Sequence, residues 1–337
     1  MACSQYEYVK KFETYQTLLP NTYIVVRIDG KGFTKFTANH NFEKPNDKRG
    51  LDLMNKAAES VMETFNEIML AYGQSDEFSF VFKKDAELYQ RRTEKIVSCV
   101  VSCFTAAYAI HFSDYFNVKP SFLPMFDARA ACYPDFKNLR DYLNWRQVDC
   151  HINNLYNTCF WTMVQKGNMT PQKAQEILKD TLSDRKNEIL FNDYGINYAK
   201  LEPQFRKGST LIRVLVLKDK HANKEGENSE QAEPLKKTQK SVEDQESNTE
   251  SVKLQQNQEE EEQKDNSSDP SKEESNTVIT KGEKKFIAGQ KKQKKFNTKQ
   301  LEKIEKSKYR SKIITLSDDI IQNEFWDKYK DSLKLQD

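Results

Sequence analysis

Residues 22–28 are β-branched or aromatic almost throughout, which predicts a strand buried on both faces and ending at Asp29, Gly30 and Gly32. Apolar positions then recur at helical spacing, at Leu51, Met54, Ala58, Val61, Met62 and Phe65, and predict a helix over 49–68 capped by Asp47. Two short apolar runs, 68–72 and 78–82, flank Gly73-Gln74-Ser75-Asp76, the pattern of a hairpin. A long apolar helix over 86–115 and a fourth strand over 125–133 complete the order β-α-β-β-α-β. This order predicts an α+β fold of the ferredoxin-like kind, with the first strand beside the third. Asp29 is thereby expected next to the turn carrying Asp76, 47 residues further on. Added helices are predicted over 139–164, over 171–181 with Thr170 as cap and Pro171 in the first turn, and over 183–191. A closing strand is predicted over 210–216.

Composition then limits the folded part. The chain has 337 residues, but aromatic side chains are absent from 217 to 283. Residues 225–274 carry 16 acidic against 6 basic side chains, a net of −10, in a background of Ser, Asn, Gln and Glu. Such a segment buries too little apolar surface to offset the entropy of ordering it, so a disordered charged insert is expected over 218–300. Residues 281–312 reverse the sign, with 13 basic against 3 acidic side chains including Lys291-Lys292-Gln293-Lys294-Lys295. This block suits nucleic-acid phosphates, a nuclear address or a plain solvated tail. Apolar density returns at 312–326, so the segment over 301–337 is read as a basic stretch followed by a piece that docks on the folded domain of 1–217.

Six cysteines, at 3, 99, 103, 132, 150 and 159, form no Cys-x-x-Cys pair and are read as reduced thiols. The N-terminus shows no secretory or mitochondrial pattern, and no run is read as reaching the ~20 apolar residues of a membrane span. The expectation is a soluble protein of the cytoplasm or nucleus.

The chemistry concentrates at two acidic turns. Asp29 in Arg27-Ile28-Asp29-Gly30-Lys31-Gly32-Phe33 and Asp76 in Ser75-Asp76-Glu77-Phe78 place carboxylates at adjacent strand ends, as a two-magnesium phosphoryl-transfer site needs. Gly30 can add a carbonyl ligand, and the amides of Lys31, Gly32, Phe33 and Thr34 can hold phosphate oxygens. Glu77 is either a third ligand, an electrostatic support or an acidic residue that merely starts a strand. Lys44 to Asp47 and Arg91-Arg92-x-x-Lys95 offer cations for phosphates, and His151 sits among asparagines suited to sugar and phosphate contacts.

These stretches, together with His40 to Asp47, Ala71 to Phe82, Trp145-Arg146-Gln147-x-Asp149-Cys150-His151-Ile152-Asn153-Asn154-Leu155-Tyr156-Asn157-Thr158, Lys186 to Phe191, Gly195 to Tyr198 and Phe205 to Gly208, resemble the tRNA-His guanylyltransferases. A shorter echo occurs at Asp319-Ile320-Ile321 and Phe325-Trp326. The resemblance implies a polymerase-like palm and addition of guanosine to the 5′ end of tRNA-His, with ATP and GTP as substrates. Catalysis would rest on Asp29, Asp76 and Glu77, with two Mg2+ ions bound by Asp29, Gly30 and Asp76. The nucleotide would lie along Asp29 to Thr34 and at Ser75. Lys44, Asp47, Arg92, Lys95, His151, Lys186 and Asn197 match positions associated with a second triphosphate or the tRNA 5′ end, and a homotetramer is implied. Thr34 stands where many relatives have histidine, and the charged insert has no counterpart in the resemblance. Three other readings stay open: a repair polymerase for 5′-truncated tRNAs, a nucleotidyl cyclase, because Ser75 to Phe78 is similar to the acidic hairpin of diguanylate cyclases, and a non-catalytic RNA-binding module.

Overall fold

The computed structural model describes residues 4–217 and 309–333. One unit, Met1–Val216 with Ser311–Asp337, holds the site elements; the other, Leu217–Arg310, falls almost wholly outside the described residues. The acidic block, the expected insert and the Lys291 to Lys295 run therefore lie outside them. In chain order the elements are β1 (Tyr23–Gly30), α1 (Phe33–Asn39), α2 (Lys48–Thr64), β2 (Ile68–Gln74), β3 (Glu77–Phe82), α3 (Thr93–Phe116), β4 (Phe126–Tyr133), α4 (Phe136–Gln165), α5 (Pro171–Leu178), α6 (Ser183–Glu188), α7 (Pro203–Lys207), β5 (Ser209–Leu217), β6 (Tyr309–Leu316) and α8 (Asn323–Leu333).

The fold is mixed α and β, with six strands in the order β4-β1-β3-β2-β5-β6. β1 pairs antiparallel with both β3 and β4, and β2 with β3 and β5. β1 is buried on both faces, which is why its sequence lacks the alternation of a half-exposed strand. Ile24, Val26 and Ile28 pack with Phe78 and Phe80 against α2 and α3. Tyr23 and Val25 pack on the other face with Val81, with Tyr142 and Leu143 of α4, and with Phe325 and Trp326 of α8. Further along that second face the apolar side chains give way to Arg27 and then Asp29, so the strand carries its charge where the packed layer ends.

Two helical expectations change. α3 is long and apolar enough to cross a membrane by composition, with a mean hydropathy of 1.7, so such a run does exist. Its Ile96, Val100, Phe104, Tyr108 and Phe112 are buried in the core with the strands, although only 28% of the apolar window is buried and Ile110 is exposed. The helix also starts at Thr93 rather than 86, because Tyr89, Gln90 and Arg91 are all left-handed, with φ of 51°, 56° and 57°. Asp47 and Thr170 cap α2 and α5 by accepting from the Arg49 and Lys173 amides. Cys99, Cys103, Cys132, Cys150 and Cys159 are free thiols, and Cys3 lies outside the described residues.

Candidate active site

Asp29 and Glu77 face each other across the β1/β3 pair, and the hairpin between β2 and β3 turns at Ser75, whose φ is 49°. The Gly30 amide donates to the Asp76 carbonyl at 3.0 Å, tying the end of β1 to that turn. A Cβ at Gly30 would meet the Asp76 Oδ2 at 2.7 Å and the Phe33 ring at 2.5 Å. Only a glycine lets carboxylate and backbone come this close. Gly32 caps α1 with φ 71°, and its carbonyl accepts from the Lys35 and Phe36 amides, while the Phe33 and Thr34 amides lie ahead of the first intrahelical acceptor. Lys31 differs from the expectation, since its amide is spent on the Met125 carbonyl at 2.8 Å. Phe33 is buried against Phe36, Tyr108 and Phe126, while Thr34 is exposed.

The electrostatics favour a cation here. Burial raises the Asp29 carboxyl above its ordinary range; Arg27 opposes this, while Glu77 and Asp127 add to it. Burial also raises Asp76; the Ser75 hydroxyl and a backbone amide pull it down, and the charges of Asp29 and Glu77 push it further up. Among the described residues no group of three or more His, Cys, Asp or Glu side chains converges as a metal cage. Two carboxylates beside a close backbone segment still fit Mg2+, which usually takes one or two carboxylates and completes its shell with water and substrate phosphate.

Glu77 points elsewhere. Its Oε2 accepts from the Arg27 Nη2, its Oε1 from the Gln74 Nε2 at 3.1 Å, and both oxygens from the Arg146 Nη1 at 3.2 and 3.3 Å. Arg27 Nη2 also donates to the Asp29 Oδ2 at 2.8 Å.

A cavity of about 360 Å3 opens beside the acidic turn, lined among others by Thr34, Lys44, Asp47, Ser75, Asp76 and Trp161. Lys44 donates to the Thr37 hydroxyl at 3.3 Å and lies 6.0 Å over the Trp161 ring. Asp47 is buried and fully engaged, accepting from the Glu43 amide and from the backbone and guanidinium of Arg49. Burial alone would raise its carboxyl, but these bonds hold it below the usual range. A second cavity, about 450 Å3, includes His151, Asn197 and Arg206. Burial and the Arg206 charge lower the His151 imidazole, and the Asn197 Oδ1 is taken by the Ala199 amide.

Lys186 lines neither cavity; it is buried and donates to the Thr181 carbonyl at 2.6 Å. Arg92 and Lys95 are not brought to Asp29 within the chain. They follow Arg91, which donates to the Thr22 carbonyl just before β1. Seven residues of strand at ~3.3 Å each put Asp29 about 23 Å further on.

The family model for tRNAHis guanylyltransferase matches residues 6–134, and that for the Thg1 C terminal domain matches 137–322. The chain belongs to the tRNA-His guanylyltransferase family. The tRNA(His) guanylyltransferase of Neurospora crassa is 54% identical over 238 residues, covering 70% of this chain and 80% of that one. The probable human tRNA(His) guanylyltransferase is 49% identical over 213 residues, 63% of this chain and 72% of that one. The crystal structure of the Saccharomyces cerevisiae protein aligns with a TM-score of 0.60 at 44% identity, covering 62% of this chain and 93% of that one. A bacterial Thg1-like protein in complex with ATP shares the fold, with a TM-score of 0.54 at 24% identity, over 62% of this chain and 88% of that one.

Membership makes the chain a nucleotidyltransferase. Gln74 and Phe205 lie in stretches that match the family without a role of their own in the sequence, and both line the cavity beside Asp76. The spacing of Arg146 and Asp149 was a usable signal. Three residues on a helix put both on one face, where the Arg146 Nη1 reaches the Asp149 Oδ2 at 3.6 Å.

Proposed function

We propose that the protein adds a guanosine to the 5′ end of tRNA-His through a polymerase-like palm site using two Mg2+ ions. The observation that carries this reading is the close approach of Asp29 and Gly30 to Asp76, which lines a cavity that Lys44 also lines. Held by Asp29, Asp76 and the Gly30 carbonyl, Mg2+ would neutralise triphosphate charge and ease ionisation of the attacking hydroxyl. In the first step the tRNA 5′-phosphate attacks the ATP α-phosphate and pyrophosphate leaves. The GTP 3′-hydroxyl then attacks the activated 5′-phosphate and expels AMP, and hydrolysis removes pyrophosphate from the added guanosine.

The chain's own groups supply position and charge. The Gly32, Phe33 and Thr34 amides and the Ser75 hydroxyl would hold nucleotide phosphates, while Lys44 would neutralise a second triphosphate. Asp47 acts by fixing the loop that carries Lys44. His151, with its lowered pKa, would meet RNA as a neutral donor and acceptor. Arg92, Lys95, Lys186 and Asn197 are proposed to serve the second triphosphate or the tRNA 5′ end, in a homotetramer working in cytoplasm or nucleus.

The test offers tRNA-His bearing a 5′-monophosphate with ATP and labelled GTP, beside a 5′-truncated tRNA of another type and a reaction holding GTP alone. One guanosine on tRNA-His is expected, with none from Asp29→Ala or Asp76→Ala. Exclusive extension of the truncated tRNA, or a cyclic product from GTP alone, would overturn the proposal.

A further inference from the structure

The side chain with the strongest unexplained restraint near the two acids is Arg146 of α4. It is 4% exposed, and both Glu77 oxygens accept from its Nη1. Its guanidinium carbon lies 3.4 Å from the centre of the Trp145 ring, so one face is closed by an aromatic plane. Its Nε is buried with no hydrogen-bond partner among the described residues. Burying a guanidinium with an unmet N–H is costly, and paired carboxylates offset that cost only when the geometry is good. A position that needed bulk or hydrophobicity would be met more favourably by an apolar side chain.

Arg146 stands at the head of a connected set. It anchors Glu77; Glu77 takes the Arg27 Nη2; the same Arg27 nitrogen reaches the Asp29 Oδ2 at 2.8 Å. Gln74 closes the set from the hairpin, donating to the Glu77 Oε1 at 3.1 Å and to the Asp149 Oδ2 at 3.2 Å. Asp29 is thus held by a cation whose other attachment is a carboxylate fixed from α4. Without Arg146, Glu77 would keep Arg27 as its one cationic partner, and Arg27 would be drawn off Asp29.

We propose that Arg146 is a positioning residue for the metal-binding acids: by anchoring Glu77 it keeps Arg27 shared with Asp29, fixing that carboxylate's direction and moderating its charge. This rests on the reading of Asp29 and Asp76 as metal ligands. Glu77 is then a relay between two arginines, with no oxygen left for a metal. Removing Arg146 takes one positive charge from the site and weakens a second, so a divalent ion should bind more tightly while Asp29 loses its fixed direction. Neutralising Glu77 does the reverse, because it leaves Arg27 entirely to Asp29.

The test is Mn2+ binding to the full-length, nucleotide-free protein, followed by loss of the free-ion electron paramagnetic resonance signal, with kcat for guanosine addition measured beside it. Arg146→Met is expected to bind Mn2+ roughly three- to tenfold more tightly than wild type, the scale of one unit charge acting on a divalent ion in a partly hydrated site, while kcat falls at least about tenfold. Glu77→Gln should bind Mn2+ more weakly than wild type. Arg146→Lys, which keeps the charge but loses the fork, should bind Mn2+ within about twofold of wild type and recover part of kcat. A merely structural role would lower the active fraction and melting temperature with no change in affinity per folded molecule. Wild-type Mn2+ affinity in both Arg146→Met and Glu77→Gln, or weaker binding in folded Arg146→Met, overturns the proposal. If Asp29→Ala and Asp76→Ala bind Mn2+ as well as wild type does, the metal-site reading itself has failed.

Discussion

Replacing Asp76 with asparagine is expected to stabilise the metal-free protein while ending nucleotide transfer. Burial and the neighbouring charges of Asp29 and Glu77 lift the Asp76 carboxyl in the folded state, so its ionised form works against folding at neutral pH. Like carboxylates in near contact repel by ~1 kcal/mol in bulk water and ~4 kcal/mol at the dielectric of a protein surface. Asp76 is half-buried, and an asparagine Oδ1 can keep the 3.0 Å bond from the Ser75 hydroxyl. A gain of about 1–2 kcal/mol remains after solvent screening, or ~2–8 °C in melting temperature for a folded unit of this size. The sign with pH follows from the direction of the shift. A raised folded-state pKa favours the protonated acid, a contribution fully present below the ordinary carboxylate range and lost as pH rises through the raised value. The advantage of Asp76→Asn over wild type should therefore be largest at neutral pH and shrink towards pH 4. Thermal denaturation in a chelating buffer across that range measures it, and added Mg2+ should raise the wild-type midpoint but not the variant's. An Asp76→Asn protein no more stable than wild type at neutral pH, or an advantage independent of pH, would refute the reasoning.

Other expectations follow from single contacts. Gly30→Ala places a methyl 2.5 Å from the Phe33 ring and 2.7 Å from the Asp76 Oδ2, so denaturant unfolding should show a loss of about 1–3 kcal/mol, with guanosine addition reduced at least about a hundredfold. Arg91 donates to the carbonyls of Leu18, Leu19, Ala86 and Thr22; Arg91→Gln should cost about 3 kcal/mol and be read in the same denaturation assay. Burial pushes the Cys150 thiol up to about 12, so at pH 8 mass spectrometry should find it alkylated far more slowly in the folded protein than after denaturation.

How much of this was legible in the sequence depended on whether side chains or backbone set the feature. The two-sided burial of β1 leaves a continuous apolar run, and the pairing of Asp29 with the β2/β3 turn follows from element order alone. The strand ends do not: β1 continues through Asp29 and Gly30, and β2 through Gly73 and Gln74, because ladder partners extend past the last apolar residue. Arg91 and Arg146 mark the deeper limit. Arginines in polar stretches read as solvated or phosphate-seeking, yet Arg91 is buried under four carbonyls and is the last of three left-handed residues that precede α3, while Arg146 lies under Trp145. A buried cation is specified by the acceptors around it, and these come from segments up to 73 residues away. Glu77 shows the consequence at the site. Its neighbour Asp76 makes it look like a third ligand in the sequence, whereas its place in the β3 register turns it between Arg27 of β1 and Arg146 of α4. Asp76 belongs to the turn and Glu77 is the first residue of β3, so the ladder fixes the direction of Glu77 alone. In this chain one of them lines the cavity and the other organises the charges behind it.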